Sequence, residues 1–542
     1  MTTSLMAEEK PYDYLIKDVL IFDGESNRPL RGDVAISGEA ISEVGNLSET
    51  EAREVVSGEG FVLAPGFIDA HTHSDFNPFI YAGLPNKLMQ GVTTEIVGNC
   101  GMSAAPVLGE HAGHIATVWS REGVAIPQPL AWTTFREYQN ELEYSKMGTN
   151  FAILVGHGNL RASVMGMAAR PADAGEVAAM KKLLKDAMEN GAFGISFGLV
   201  YLPGVFATED ELVELCREAG RHNGICAFHL RSEGSGLLEA LREAIRIGEK
   251  AGARIQISHL KAAGRNNWDK ITEAFRVIEE ARAKGIRIAA DAYPYTASFA
   301  ELGVILPDSL YERPDRVALF QNVAERDRLK KELDIHFQKK NMDWESIRIA
   351  TTVSPAYQSF EGKTIQAISR ETGKDPITLL IELLADNSFQ VSAFNFSQSE
   401  KVVEEVIQKP YVAIGSDSIA DGSRHPHPRA FGTFPKIFKD YVQAEPRLEL
   451  GEAIRKMTSL PAKHFGIENR GLVRAGYYAD LVLFDPKRMT DRANYESPQL
   501  FADGVMWVFV NGEPVVRNGR SAEKKKGQVL IHVPDRISLA SL

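Results

Sequence analysis

The segment 67–73 carries two histidines, two positions apart, at the end of an apolar run: Phe-Ile-Asp-Ala-His71-Thr-His73. Side chains two apart on a strand point to the same face, so His71 and His73 would project together. Neutral imidazoles side by side suit a zinc-type ion. In a chain with 13 histidines such a pair also arises by chance. On its own, the pair is more often two rim histidines bonded to backbone.

Four more metal-competent side chains stand at equivalent places, each at or just beyond the end of an apolar run. They are Cys100 in Val-Gly-Asn-Cys-Gly, His229 in Ala-Phe-His-Leu-Arg, His259 in Ile-Ser-His-Leu-Lys and Asp417 in Ile-Gly-Ser-Asp-Ser. A lone histidine of this kind would more often be a hydrogen-bonded core residue, and a lone cysteine a small buried hydrophobe. Six such residues at one rim are hard to obtain by chance, and their joint placement predicts a metal site.

These residues fall at the ends of strands that alternate with amphipathic helices. The eight predicted strands are Phe67–His71, Thr93–Val97, Phe151–Gly156, Phe193–Phe197, Ile225–His229, Arg254–His259, Ile286–Asp291 and Val412–Ser416. Such alternation implies parallel pairing through right-handed crossovers. Eight units close a barrel whose active sites lie at the carboxyl ends of the strands. The predicted fold is therefore an α/β protein with a (β/α)₈ barrel of the TIM type.

Strand-like runs at both chain ends flank the barrel. We assign residues 1–64 and 469–542 to one small β-sandwich domain built from both ends, and residues 65–468 to the catalytic barrel. The connection before the eighth strand is too long for one crossover. Residues 296–347 are therefore predicted to be an insertion, followed by an extra strand near 390–396. Long loops at this barrel face are usually lids; a dimer contact or an ornamental insertion is the alternative.

Composition narrows the function classes. The chain has 542 residues, with 61 Lys and Arg against 72 Asp and Glu, a net charge of −11 and 44% hydrophobic residues. This mixture excludes global disorder, collagen and coiled coil. The acidic balance argues against nucleic acid, which would call for a basic stripe. No apolar stretch reaches ~18 residues, so no membrane span is expected, and no secretory leader is visible. Three cysteines indicate a reducing cytoplasm rather than a disulfide framework.

Together the motifs resemble the amidohydrolase superfamily, and within it the N-acyl-D-amino-acid deacylase (D-aminoacylase) family. The resemblance covers nearly the whole chain and rests on PGFIDAHTHSD, GVTTEIVGNCG, FGISFGLVYLPG, FHLRSEG, ISHLK, DAYPYTAS, IGSDS and HPHPRAFGTFP. It implies a metal-bearing barrel with a small β domain, in agreement with the strand count. It also implies a zinc-dependent hydrolase that cleaves the amide bond of N-acyl-D-amino acids. The preference for the D form comes from the resemblance alone.

The resemblance assigns roles to the metal-competent residues. Hydantoinase-like and dihydroorotase-like relatives bridge two metals with a carboxylated lysine on the fourth strand, which reads Gly-Ile-Ser-Phe-Gly here. In the deacylase family a cysteine takes that role, and Cys100 matches it. The resemblance implies one tight zinc on Cys100, His229 and His259. It implies a second position, weak or empty, on His71, His73 and Asp417. A thiolate with two imidazoles is a sound zinc set.

Amide hydrolysis needs an activated water and a proton carrier. Zinc lowers the pKa of its water and polarises the carbonyl, and one carboxylate must take the water proton and return it to the leaving nitrogen. Asp417 is placed for that task, and the resemblance assigns it the same role as general base and acid. The alternative for Asp417 is a purely structural ligand or a helix N-cap.

The carboxylate of such a substrate needs cations or hydroxyl donors. Lys261 stands two after His259 and shares its face, and Arg429 follows Asp417 on the next loop. The resemblance binds the substrate carboxylate through positions that match Lys261, Tyr201, Tyr293 and Arg429. For any single Lys or Arg the plainer interpretation is a surface charge.

Other functions stay open at this level. A deaminase on the same barrel would need a glutamate proton shuttle, for which Glu233 stands four after His229. A cyclic amide or imide hydrolase shares the barrel. A non-catalytic scaffold should have lost ligands, and this chain keeps all six. The expected partner is a small-molecule N-acyl amino acid, and a homo-oligomer is left open.

Overall fold

A computed structural model describes residues 12–533, apart from 48–49, 82–84, 110–112, 114–118, 120–125, 127–128, 341, 420–424 and 445. The chain opens with five strands: β1 Tyr12–Ile21, β2 Leu30–Ser37, β3 Ala40–Gly45, β4 Ala52–Ser57 and β5 Val62–Pro65. Alternate side chains of β1 and β2, among them Ile16 and Val34, pack into one core on one face of this sheet. This is the alternation expected of strands with one buried face.

Eight strands form the barrel: β6 Phe67–Asp69, β7 Val92–Val97, β8 Asn150–Gly156, β9 Gly194–Gly198, β10 Ile225–His229, β11 Arg254–Ile257, β12 Ile288–Ala292 and, after an insertion, β16 Val412–Ile414. Neighbours pair in parallel in this order. The first and last strands meet through backbone bonds; the amide of Asp417 donates to the carbonyl oxygen of His71 at 2.7 Å. The predicted eight-stranded barrel is confirmed.

The barrel strands are buried on both faces, which is why they read as nearly continuous apolar runs. Every residue of β8 is buried. Inward residues such as Ile96, Leu154 and Phe193 fill the barrel interior. The longer helices between and after the strands are Phe135–Ser145, His157–Met165, Ala174–Glu189, Glu209–Arg221, Leu237–Ala251, Lys270–Ala283, Glu400–Gln408, Arg429–Ile437, Leu450–Lys456 and Ser459–Phe465.

The insertion is a unit with its own sheet and core. Its strands are β13 Ser298–Glu301, β14 Ile347–Thr352 and β15 Val391–Asn395, with β15 in the middle. Its main helices are Asp308–Tyr311, Arg316–Gln321, Arg326–Lys340, Ile365–Thr372 and Pro376–Asp386. The unit thus continues past Ile347, because β15 pairs with both other strands. The apolar side chains at the start of the insertion, such as Leu302, Leu306 and Leu310, pack into the insertion's own core.

The chain returns to the first sheet near its end. Strands β17 Leu481–Phe484, β18 Val505–Val510, β19 Glu513–Arg517 and β20 Arg520–Ser521 follow. Antiparallel pairing of β17 with β5 joins them to β1–β5 in one nine-stranded sheet, which confirms a β domain built from both ends. The segment after β20 then runs along the barrel, where Phe151 donates its amide to Gln528. Among the described helices, none is long and apolar enough to cross a membrane.

Candidate metal centre

The six predicted metal ligands come together at the carboxyl ends of the barrel strands, and all are buried. They form two groups, within each of which the donor atoms lie no more than 4.8 Å apart. One group is Cys100, His229 and His259; the other is Cys100, His71, His73 and Asp417. The thiol of Cys100 therefore belongs to both groups.

The distances within these groups leave room for small cations between the side chains. The sulfur of Cys100 lies 3.3 Å from Nε2 of His71 and 3.4 Å from Nε2 of His259. Oδ1 of Asp417 lies 3.4 Å from Nε2 of His71 and 3.3 Å from Nε2 of His73. Imidazoles, a thiolate and a carboxylate are the donors that zinc prefers. The residues present therefore fit a zinc-type centre.

Three of the ligands have a left-handed backbone. The φ angle is 52° at Cys100, 34° at His259 and 49° at Asp417. Residues other than glycine rarely adopt such angles. They persist where the surroundings hold them, and they cluster at functional sites. Each angle occurs just after a strand ends, where the chain must turn.

Close backbone packing places the Cys100 loop. A Cβ on Gly198 would lie 2.0 Å from the carbonyl oxygen of Cys100, and a Cβ on Gly101 would lie 2.6 Å from the amide nitrogen of Gly198. Glycine is needed at both positions because any side chain would block this approach. The Cys100 loop therefore lies across the carboxyl end of β9, the fourth barrel strand, which carries no lysine.

The surroundings favour the ionised forms of the two acidic ligands. Burial alone would raise the pKa of Cys100, but the imidazoles of His71 and His259 hold it well below its usual value. Burial would likewise raise the pKa of Asp417, but the guanidinium of Arg429 and the nearby histidines hold it well below its usual range. The surroundings of both side chains therefore favour the anionic form, which is the form that binds a metal.

Two carboxylates that we did not assign to the centre lie beside its histidines. Oδ1 of Asp291 lies 3.2 Å from Nδ1 of His71 and accepts the backbone amide of His259 at 2.8 Å. Oε1 of Glu233 lies 2.8 Å from Nδ1 of His259. Carboxylates at this distance orient ligating imidazoles. Asp291 could have been found from its sequence, because it lies near the end of a barrel strand as the ligands do.

Lys261 is buried and paired inside the protein. Its Nζ lies 2.6 Å from Oε1 of Glu233 and 2.9 Å from Nδ1 of His259. Burial would lower the pKa of Lys261, but the carboxylate of Glu233 raises it above its usual value. Burial would raise the pKa of Glu233, but Lys261 and then His259 lower it far below the usual range. The pair is therefore doubly charged.

Three of the four predicted substrate contacts lie together. The guanidinium of Arg429 donates to Oδ2 of Asp417 at 2.8 Å and stands 4.8 Å from the ring centre of Tyr293. Nζ of Lys261 lies 5.8 Å from the same ring centre. The hydroxyl of Tyr293 is buried and has no hydrogen-bond partner among the described residues. The ring centre of Tyr201, the fourth predicted contact, lies 4.9 Å from that of His229.

An apolar pocket adjoins Cys100 on the side of Tyr201. The cavity is small, with a volume of about 30 Å³. The apolar side chains that line it are Met102, Trp119, Ala162, Met167, Leu202 and Pro203. Apart from Cys100 itself, no charged side chain lines it among the residues that the structure describes. The pocket therefore suits an uncharged, apolar group held next to the thiol.

A parallel barrel that gathers a thiolate, imidazoles and a carboxylate at its carboxyl face defines a barrel metallohydrolase. The chain belongs to the amidohydrolase family, whose model matches residues 54–516. This confirms the resemblance seen in the motifs, and relatives of this family that are similar over nearly their whole length hydrolyse amide bonds. The protein is accordingly a hydrolase of amide bonds.

Individual relatives are similar over nearly their whole length. A D-aminoacylase of Alcaligenes xylosoxydans xylosoxydans is 34% identical over 97% of this chain and 98% of that one. The structure of an N-acyl-D-glutamate deacylase from Bordetella bronchiseptica, complexed with zinc and a phosphonate mimic of the tetrahedral intermediate, is 31% identical, with a TM-score of 0.81 over 96% of this chain and 100% of that one. A D-aminoacylase structure with a binuclear metal centre is 33% identical, with a TM-score of 0.80 and the same coverage.

Proposed function

We propose that this protein is a zinc-dependent deacylase that hydrolyses N-acyl-D-amino acids to a carboxylate and a D-amino acid. The observation that carries the proposal is the thiol of Cys100, which belongs to both donor groups and lies across the end of a strand without lysine. The similarity to deacylases of D-amino acids supports the same chemistry.

The ligand set divides between a tight and a weaker metal position. Cys100, His229 and His259 would hold the tight zinc, and His71, His73 and Asp417 would complete the second position. When bound, zinc supplies a Lewis acid that lowers the pKa of water and polarises the amide carbonyl. Oε1 of Glu233 lies 2.8 Å from Nδ1 of His259, and Oδ1 of Asp291 lies 3.2 Å from Nδ1 of His71. Nε2 of each ring is left to face the centre.

Asp417 is the proton carrier in this proposal. Arg429 binds Oδ2 of Asp417, and Oδ1 faces His71 and His73. The carboxylate accepts a proton from the water that attacks the amide carbon. It then gives that proton to the leaving nitrogen as the carbon–nitrogen bond breaks, so that the amine departs neutral. Its low pKa means that Asp417 is ionised and ready at the start of each cycle.

Substrate orientation follows from the two sides of the site. The substrate carboxylate would bind at Tyr293, Lys261 and Arg429, where a free buried hydroxyl and two cations lie together. The acyl group and the α-carbon lie on opposite sides of the scissile bond. The acyl group would therefore enter the apolar pocket beyond Cys100, next to Tyr201.

The position of Glu233 favours a deacylase over a deaminase. A deaminase scheme would use Glu233 to carry protons to the reacting atoms. Glu233 instead lies at Nδ1 of His259, whereas Nε2 of that ring faces Cys100, and Glu233 is paired there with Lys261. The second donor group includes Cys100, for which a one-metal deaminase scheme has no use.

The test is a panel of N-acetyl-D- and N-acetyl-L-amino acids, assayed with purified protein of measured zinc content. The panel should include acidic and apolar side chains, because the relatives differ in this respect. We expect release of acetate and the free amino acid from D substrates, and loss of this activity in Asp417→Asn. Ammonia release from aminated heterocycles, or faster cleavage of the L series, would contradict the proposal.

A further inference from the structure

A buried lysine stands behind one half of the metal centre and has no role in the proposed reaction. Lys87 is only 4% exposed although it lies in the connection between β6 and β7. Burying an ammonium is costly unless it is paired and fully hydrogen-bonded. The partners of Lys87 should therefore reveal what it does.

Lys87 closes the seam of the barrel, where β6 and β16 meet. Its Nζ donates to Oγ1 of Thr72 at 3.0 Å and to Oγ of Ser416 and Ser418, each at 2.9 Å. It also forms a short ion pair with Asp69, and Oε2 of the buried Glu95 on β7 lies 3.5 Å away. Asp69 in turn accepts the backbone amide of Ser416 at 2.8 Å. We call Lys87, Asp69, Thr72, Ser416 and Ser418 the seam network.

The members of the seam network flank three metal ligands in the sequence. Thr72 stands between His71 and His73, and Ser416 and Ser418 enclose Asp417. These three ligands belong to the second donor group. None of the hydrogen bonds described for Lys87 reaches the loops that carry His229 and His259. The hydrogen bonds of the network therefore lie on the side of His71, His73 and Asp417, whereas the contact with Glu95 reaches β7, the strand before Cys100.

Short strands explain why this position needs side-chain support. Both β6 and β16 are three residues long, so backbone pairing fixes their ends over a short distance. Beyond the strands, the amide of His73 donates to Ser418 at 3.0 Å and that of Asp417 donates to His71. The ammonium of Lys87 binds Thr72 in one of these two segments and Ser416 and Ser418 in the other. It therefore holds the distance between the two segments.

We propose that Lys87 is a positioning residue that sets the distance between the His71–His73 segment and Asp417, and thereby the affinity of the second metal position. The proposal rests on the proposed function in that it takes these residues as metal ligands. The Lys87 proposal is tested by metal binding. It can therefore be wrong while the proposed deacylase function is right, and the deacylase function can be wrong while the Lys87 proposal is right.

Lys456, the last residue of the helix Leu450–Lys456, provides a matched control at the other end of β16. It is also fully buried, and its Nζ donates to the carbonyl oxygens of Lys409 and Val412, the latter at 3.1 Å. Val412 is the first residue of β16, and Asp417 lies beyond its last residue. Lys456→Met therefore removes a buried lysine that contacts the other end of β16, without touching the seam network.

The test is zinc titration of the metal-free full-length protein, with thermal unfolding of the same samples. We compare wild type with Lys87→Met, the charge-balanced Lys87→Met/Asp69→Asn, the milder Ser418→Ala, and Lys456→Met. We expect the Lys87 variants to bind the second equivalent of zinc at least tenfold more weakly, with the first equivalent unchanged. Ser418→Ala should show a smaller change in the same direction. Lys456→Met should unfold at a lower temperature and bind both equivalents as wild type does.

Four results would overturn the proposal. The first is wild-type affinity for the second zinc in both Lys87 variants, and the second is equal weakening of both equivalents. The third is a wild-type protein that takes up a single equivalent even at saturating zinc, because the second position would then not be a metal site. If the Lys87 variants do not fold, the fourth is unchanged second-zinc affinity in Ser418→Ala.

Discussion

The two halves of the metal centre are supported in different ways. Cys100, His229 and His259 follow β7, β10 and β11, each of which is paired with a barrel strand on both sides. His71, His73 and Asp417 follow β6 and β16, the short strands at the seam. Continuous backbone pairing therefore positions the first half, whereas buried side chains hold the second. In our proposal, the rim therefore holds one metal position that backbone pairing fixes and one that single side chains tune.

Substitution of Cys100 should have the largest effect, because it removes a side chain that both halves of the centre contain. Its thiol is shared by both groups, so we expect Cys100→Ala to lose the tight zinc, the second zinc and all measurable deacylation. Metal analysis and turnover on an N-acetyl-D-amino acid check this. Cys226→Ala is the matched control, because that cysteine is equally buried in a barrel strand but takes no part in either group. Full zinc content in Cys100→Ala would show that the halves do not share a ligand.

Asp417→Asn should separate catalysis from tight metal binding. The amide keeps the shape of the side chain but cannot accept the water proton, so we expect kcat to fall by roughly 10²–10⁴. The first half of the centre lacks this residue, so the tight zinc should remain. Steady-state kinetics and metal content, measured on one preparation, check both statements. A kcat near that of wild type would mean that another group is the base.

The segment that leads into the insertion contacts the second half of the metal centre through Ala297 and His427. Nε2 of His427 lies 3.1 Å from the carbonyl oxygen of Ala297, and the amide of Arg429 donates to Nδ1 of His427 at 3.0 Å. We expect replacement of residues 298–396 by a short linker to lower kcat/KM by up to ~10²-fold, since small misplacements of binding groups are costly. The cut must extend past β15, which pairs with β13 and β14.

This deletion has a clear control in metal content. The tight zinc should stay in place, because its ligands follow β7, β10 and β11. Unchanged kcat/KM and unchanged side-chain preference would show that the insertion is ornamental and not a lid.

The smallest expected effect concerns recognition of the substrate by Lys261, which lies beside the first half of the metal centre. We expect Lys261→Met to weaken catalysis on free acids by ~1.5–3 kcal/mol more than on the matching primary amides, as for a hydrogen bond to a charged group. Removal of Lys261 also leaves Glu233 buried without its cation. The double variant Lys261→Met/Glu233→Gln therefore separates the two effects. Equal losses on acids and amides would place Lys261 in support of His259 alone.

Local sequence patterns were sufficient to predict the barrel and to predict that six metal-competent side chains lie at its rim. Parallel strands place their carboxyl ends at one edge, so any polar residue that ends such a strand must lie at the rim. Cys100, His229, His259 and Asp417 could be found in this way, and His71 with His73 from their spacing of two. The partners of Lys261 could not be found from the sequence, and neither could the position of Tyr201 beside His229. Both depend on which loops fold over the rim.

The sequence by itself determined the barrel, the β domain from both ends and the set of metal-competent side chains, because each depends on short-range periodicity and on motifs. Only the tertiary structure decided that one thiol serves two donor groups, that the insertion packs on its own core, and that Lys87 fills the seam. Lys87 and Ser418 are 331 residues apart, and no local pattern links them. The partners of a buried charge depend on the packing of the whole fold. The cost of burying the charge is offset only where segments that are far apart in the sequence bring enough polar groups together.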